Sequence, residues 1–248
     1  MDRSVIRNSQ GAQDCEFQFT EPRAVIFDMD GVIVDSHPAH QKAWRLFLRS
    51  IGKEVSEREL TFILDGHKRN DILRHFLGDL PEADLAHYGE VKDDFFRRSS
   101  FEVKPVPGIL QFLLHLRCEG ILLGLATSAS ASRSFSTLDR MRIRHYFNAI
   151  VTAADVSQGK PDPAVYRLTS ARLKIEPENV LVFEDAVSGI LAGKQAGLRC
   201  AGVACSPRDE ELLAAGAEFV IQDFRGLSLG NLKKLVPTSV PGGESPTP

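Results

Sequence analysis

With 248 residues, 43% of them hydrophobic and 25% charged, the chain has an ordinary globular composition and room for one large domain or a core with a smaller companion. Its net charge of −3 speaks against a broad nucleic-acid footprint, which needs a basic face. No apolar run approaches the roughly 18 residues that a membrane span requires.

Residues 1–20 are polar, lack sustained periodicity and read as a loose arm. They hold no apolar stretch followed by a small-residue cleavage site, so a cytoplasmic protein is expected. The cysteines Cys15, Cys118, Cys200 and Cys205 form no Cys-x-x-Cys pair and have no accompanying His spacing, which speaks against a disulfide framework or a zinc site. Ala24 to Phe27 is a short apolar run with β-branched members, bounded by Pro22 and by acidic residues before Gly31. It predicts a buried strand.

From Pro38 to about Ser100 the pattern turns helical. Ala39, Ala43, Leu46, Phe47 and Ile51 recur at helical spacing, with Pro38 suited to a first turn and Gly52 to a stop. Ser56-x-x-Glu59 is a capping box. Ile72, Leu73, Phe76 and Leu77 form a further apolar face, as do Leu85, Tyr88, Val91 and Phe95. An all-helical insert over residues 37–104 is predicted.

After Pro105 and Pro107, strands and helices alternate, with strands expected at Leu122–Ala126, Ala149–Val151, Val180–Phe183, Cys200–Val203 and Phe219–Ile221. Asp162-Pro163 and Ser206-Pro207 open helices, and Gly197 and Gly216 stand where helices stop. Residues 237–248, rich in Pro, Gly and Ser, read as a disordered tail. The fold class is α/β: a Rossmann-like parallel sheet with helices on both faces, built from residues 21–36 and 105–236, with a small all-helical domain inserted after the first strand. Such sheets bind ligands beyond the carboxyl ends of their strands.

Four predicted strands carry chemistry at that edge. The first ends in Asp28-Met29-Asp30-Gly31, two carboxylates beyond a buried run, where a hard cation would pair with them; a turn with two solvated acids is the plainer alternative. The second ends in Thr127-Ser128-Ala129, a hydroxyl followed by main-chain N–H groups that can hold phosphate oxygens, or else a simple helix cap. Lys160 precedes Pro161-Asp162-Pro163 on a stiff turn, although a lone lysine is usually a surface residue. A further strand ends in Glu184-Asp185. Taken together these groups fit phosphoryl transfer. Asp28 is the expected nucleophile, forming an aspartyl phosphate, and Asp30 the acid and base. Thr127 and Lys160 orient and neutralise the transferring oxygens, and Mg²⁺ is held among Asp28, Asp30, Glu184 and Asp185.

The set Asp28-x-Asp30-Gly31-Val32, Thr127, Lys160-Pro161 and Glu184-Asp185 resembles, in order, the four motifs of the haloacid dehalogenase-like superfamily, from about Ala24 to Phe224. The resemblance implies that the helical insert is a mobile cap closing over the substrate. Within the superfamily, His40 with Ala43-Trp44, and Gly66-x-x-Arg69-x-Asp71-x-Leu73, resemble the β-phosphoglucomutase branch, which implies that Gly31, His40, Arg69, Ser128 and Ala129 contact substrate. Two departures bear on activity. Ser128-Ala129-Ser130-Ala131-Ser132 lacks the lysine and amide that the mutases carry there, and Asp65 stands where they carry a lysine. The expectation is a Mg²⁺-dependent phosphatase of a small, sugar-like phosphomonoester. The alternative is a mutase moving phosphate between C1 and C6 of a hexose. A small phosphorylated metabolite is the expected partner, with no nucleic acid and no membrane, and nothing demands more than a monomer.

Overall fold

The structure is a computed structural model and describes residues 7–8, 21–99, 103–204 and 208–232. Nine strands form among the described residues: β1 (Arg7–Asn8), β2 (Ala24–Phe27), β3 (Val34–Asp35), β4 (Lys104–Pro105), β5 (Leu122–Ala126), β6 (Ala149–Val151), β7 (Val180–Glu184), β8 (Arg199–Val203) and β9 (Phe219–Ile221). Seven of them make one sheet in the order β1-β9-β8-β7-β2-β5-β6, with every pairing parallel except that of β1. The crossovers carry helices α5 (Ile109–Cys118), α6 (Ala131–Arg140), α7 (Ala164–Leu173), α8 (Val187–Gln195) and α9 (Asp209–Ala214), with α10 (Leu229–Leu232) following β9.

The central strands are apolar on both sides because both faces are covered. Val25 and Phe27 point into one layer with Phe112, Leu113 and Leu116 of α5. Ala24 and Ile26 point into the other with Val165, Tyr166 and Ile190. Phe27 stacks on Phe183 at 5.6 Å between ring centroids and meets Phe112 edge-on at 6.2 Å. Full burial of one such ring stabilises by about 1.5–3 kcal/mol, which makes this cluster the anchor of the central strands.

Residues 37–99 form a separate helical lobe of α1 (His37–Ser50), α2 (Glu57–Ile63), α3 (Arg69–Leu77) and α4 (Glu82–Ser99). Trp44, Phe47, Leu48, Leu60, Ile63, Ile72, Leu73 and Leu85 give it an apolar core of its own. The chain leaves and re-enters the sheet domain through a two-stranded ribbon, β3 against β4, with Val34 opposite Pro105 and Asp35 opposite Lys104. The local signals act as read: Ser56 and Glu59 complete a capping box, and Asp162 Oδ1 accepts from the Ala164 N–H at 2.9 Å.

Three readings change. Arg7 and Asn8 are not loose but pair antiparallel with β9; the rest of 1–20 and all of 237–248 lie outside the described residues, as do Ser206 and Pro207. The buried face of α4 runs through Leu85, Gly89, Lys92, Phe96 and Ser99, while Tyr88, Val91 and Phe95 pack half-buried at its side. The ribbon was missed because two-residue strands carry no periodicity. Among the described residues no helix is long and apolar enough to cross a membrane.

Candidate active site

Register alone brings the acidic strand ends together. Phe27 is level with Phe183 on one side and Leu125 on the other, so Asp28 emerges beside Glu184 and Ala126. Just past Asp28 the chain turns tightly: Gly31 N–H donates to Val34 O at 2.7 Å, and Ile33 N–H to Met29 O at 2.9 Å. Gly31 sits at φ +76°, and a Cβ there would collide with the Asp185 carboxylate. Only glycine lets the first loop approach the fourth so closely.

Lys160 lies at the centre, buried, with Nζ 2.7 Å from Asp28 Oδ1 and in contact with Glu184 Oε1. Burial opposes its charge, but the two carboxylates outweigh burial and raise its pKa above the ordinary lysine range. Glu184 is fully spent. Its Oε1 also accepts from Tyr166 Oη at 2.9 Å, and its Oε2 accepts from the N–H groups of Asp185 and Ala186 at 2.8 and 2.9 Å. A Cβ on Gly189 would run into that carboxylate, so α8 passes directly against it. In this arrangement the Glu184 carboxylate is taken up by four donors, and it fixes the lysine and the start of α8.

Asp30 is likewise committed elsewhere. Arg133, from the first turn of α6, binds it with two hydrogen bonds, Nη1 to Oδ1 at 2.7 Å and Nη2 to Oδ2 at 2.6 Å, and Ser36 Oγ donates to Oδ1 at 2.5 Å. Burial would raise its pKa, but the guanidinium outweighs burial and holds the carboxyl well below the usual range. Asp30 stands ready as a base, and donating a proton requires it to leave Arg133.

The expected set of four metal-binding carboxylates thus divides. Among the described residues no three His, Cys, Asp or Glu side chains converge as ligands. Asp28 and Asp185 remain facing the cavity. Burial pushes the Asp28 carboxyl well above its ordinary pKa; Lys160 opposes this, and Glu184, Asp30 and Asp185 add to it. Asp185 Oδ2 lies 2.9 Å from His37 Nε2, yet no aligned hydrogen bond satisfies it. Crowded, half-satisfied carboxylate oxygens with one ammonium among them suit a hard divalent cation.

These groups line a cavity of about 480 Å³ between the sheet edge and the helical lobe. Thr127 and Ser128 border it from the sheet side, and the Ala129 N–H donates to Thr127 Oγ1 at 3.1 Å. From the lobe come His40, Arg69, Lys92 and Asp93. Arg69 Nη1 donates to Asp93 Oδ2 at 2.6 Å, while its buried Nε has no partner. His40 stacks on Phe96 at 4.3 Å, with Nδ1 3.3 Å from Lys92 Nζ and Nε2 3.5 Å from Asp30 Oδ1. Burial, followed by the Lys92 charge, pushes its pKa down to about 3, so the imidazole is neutral at pH 7.

Lys92 was missed in the sequence. It falls in the charged run Glu90-Val91-Lys92-Asp93-Asp94 and reads as solvated, yet it is 3% exposed and packs beneath Trp44 and Phe96. Its spacing from Leu85, Gly89 and Phe96 was the available signal. Ser36 and Tyr166 had none, since each matters through a partner distant in sequence; Arg133 stands out in the sequence only as a substitute for the absent lysine, and its pairing with Asp30 is not legible there.

The haloacid dehalogenase-like hydrolase family model matches residues 25–203. A phosphorylated carbohydrates phosphatase from Thermotoga maritima is 36% identical over 216 residues, covering 80% of this chain and 94% of that protein. A β-phosphoglucomutase from Bacillus subtilis is 30% identical over 217 residues, covering 84% and 92%. The crystal structure of a β-phosphoglucomutase from Clostridium difficile superposes with a TM-score of 0.76 at 25% identity, covering 86% of this chain and 96% of that one.

Proposed function

The chain belongs to the haloacid dehalogenase-like hydrolases and is a sugar phosphatase-like or phosphomutase-like enzyme; within that range we propose a Mg²⁺-dependent phosphatase acting on a small, sugar-like phosphomonoester. The observation that carries this reading is how the cations are spent. Arg133, the nearest substitute for the lysine absent from Ser128–Ser132, is bound by both nitrogens to Asp30. Asp65, in the position of the second absent lysine, is an anion. A mutase must hold a bisphosphate in two orientations, and among the described residues Lys160 and Arg133 at this sheet edge are both bound to carboxylates. Arg69 and Lys92 on the lobe keep the mutase as the second reading.

In this mechanism an Asp28 oxygen bonds to phosphorus as the bond from phosphorus to the ester oxygen breaks. Asp30, protonated after leaving Arg133, gives its proton to that departing oxygen. Asp30 then takes a proton from water, whose oxygen attacks phosphorus and frees the Asp28 carboxylate and inorganic phosphate. Lys160 keeps Asp28 oriented and offsets part of the charge, and the Thr127 hydroxyl with the following N–H groups supports the phosphoryl oxygens. Asp28, Asp185 and the main-chain carbonyl of Asp30 would hold Mg²⁺, whose charge when bound offsets the repulsion between the carboxylate nucleophile and the anionic ester.

The test is phosphorus NMR with β-glucose 1-phosphate, Mg²⁺ and a trace of glucose 1,6-bisphosphate, followed by a panel of sugar and polyol monophosphates. Free phosphate accumulating from any of them, abolished in Asp28→Asn, supports the phosphatase. Glucose 6-phosphate formed without free phosphate overturns it in favour of the mutase.

A further inference from the structure

The turn between α2 and α3, residues 65–68, carries a set of hydrogen bonds that fasten the helical lobe to the sheet domain. Asp65 Oδ1 accepts from the Val187 N–H at 3.1 Å and from Arg208 Nη2 at 3.0 Å. The Asp65 carbonyl accepts from Ser188 Oγ, and the Gly66 carbonyl from Ser128 Oγ at 2.6 Å. Lys68 Nζ donates to the carbonyls of Val156 and Ser157 at 2.6 and 3.1 Å. Gly66, at φ +76°, passes so close that a Cβ would sit 3.0 Å from Ser188 Oγ. All of these bonds cross from lobe to sheet domain, and none involves a ligand.

They are not equivalent. The hydroxyl-to-carbonyl contacts exchange readily for water and each contributes little net free energy, and the charge-assisted Lys68 bonds end on neutral carbonyls. The Asp65–Arg208 contact is charge-assisted, with side chains only 21% and 19% exposed. It also joins the lobe turn to the N-cap of α9, where Arg208 additionally donates to Glu211 Oε2 at 3.4 Å. We propose that Asp65 and Arg208 form a latch that sets how often the lobe closes over Asp28, and that this pair closes it without help from a second anionic group on the substrate. The proposal rests on the phosphatase reading above. An anion at position 65 is then no lost phosphate contact. It replaces a contact to ligand with a contact to the protein itself.

The experiment is a double-mutant cycle with Asp65→Asn, Arg208→Gln and the double variant, and with Arg208→Lys to retain charge. Asn can still accept from the Val187 N–H, so Asp65→Asn removes only the charge. The first readout is hydrogen–deuterium exchange of amides 62–70 in the substrate-free protein. Each single charge-removing variant should speed exchange there about 3- to 10-fold, the range for a partly screened pair, and the double variant no further than the stronger single. Arg208→Lys should lie between these and the parent. The second readout is kcat/KM for a sugar monophosphate, which should fall in each single variant by less than exchange rises, because the closed form still predominates. Exchange unchanged in both single variants, or fully additive in the double, overturns the latch. Because exchange is read without substrate, a protein that hydrolyses no ester refutes the phosphatase and leaves the latch standing. Equal exchange in folded variants does the reverse.

Discussion

Glu184 and Asp185 are neighbours in sequence, but the structure gives them opposite work, and Glu184→Gln against Asp185→Asn separates the two. Four donors converge on the Glu184 carboxylate: Lys160 and Tyr166 at Oε1, and the N–H groups of Asp185 and Ala186 at Oε2. Glutamine has the shape but only one acceptor oxygen, so its NH₂ must face donors at one end or the other. The residue is 1% exposed, and no water can step in. Breaking a buried pair from one side costs about 3–5 kcal/mol. For a domain of this size each kcal/mol is worth about 2–4 °C, so Glu184→Gln should lower Tm by about 6–20 °C. Asp185→Asn removes the counter-charge of His37, whose pKa burial lowers but Asp185 raises to about 9; His37 is partly exposed and can lose its proton, so the cost should be about 1–2 kcal/mol, below that of Glu184→Gln. The Mg²⁺ dependence of Asp185→Asn should change as well, with the half-saturating concentration rising at least about 10-fold, since even groups that only orient ligands cost that much. Thermal melts in chelator and Mg²⁺ titrations of phosphate release read the two effects independently. The division of labour is refuted if Glu184→Gln melts with the parent protein but needs far more Mg²⁺.

Three further outcomes follow from the charges in the cavity. Asp30 is held below the ordinary carboxylate range by Arg133 against the effect of burial; Arg133→Gln should therefore move the acidic limb of the kcat/KM profile upward, toward or past pH of about 4. Lys92 is depressed to about 8, with burial the largest cause and Arg133 adding to it against Asp93 and Asp30. Between pH 8 and 10.5 the unfolded chain then binds more protons than the folded one, so this residue makes stability rise with pH across that window. Lys92→Met should remove the rise and add about 1 kcal/mol at pH 7, read by urea unfolding across pH. Mg²⁺ at 100 times its dissociation constant should stabilise by about 2.7 kcal/mol, a Tm gain of about 5–11 °C that chelator reverses and Asp185→Asn diminishes.

The sheet was legible because its strands are short, apolar on both faces and punctuated. Ala24–Phe27, Leu122–Ala126, Ala149–Val151 and Phe219–Ile221 stand where the sequence puts them, and Val180 and Cys200 begin or lie one residue inside theirs. Because the sheet is parallel, predicting its strands also predicts one edge where all their carboxyl ends meet. That is why Asp28, Thr127 and Asp185 could be gathered before any coordinates. The lobe was legible as helix but not as surface. On α4 the buried stripe is rotated by about one residue from the most apolar one, because Gly89 must make room for the Arg69 guanidinium and Lys92 lies beneath two aromatic rings.

The pairings that the sequence does not show share one physical cause. A sequence locates charge along the chain, but a charge's role depends on which opposite group reaches it first, and that is decided between segments far apart. Glu184 is met by Lys160 and Tyr166, Asp30 by Arg133 from 103 residues away, and Asp65 by Arg208 from 143 away. Each of these partners is supplied by a turn or first helical turn outside the motif it completes. The motifs therefore set the reaction, while Arg133 and Arg208, which belong to none of them, control when Asp30 is free and when the lobe is shut. Changing the substrate preference of this enzyme should accordingly begin at those two arginines, and leave the Asp28, Thr127, Lys160 and Asp185 positions untouched.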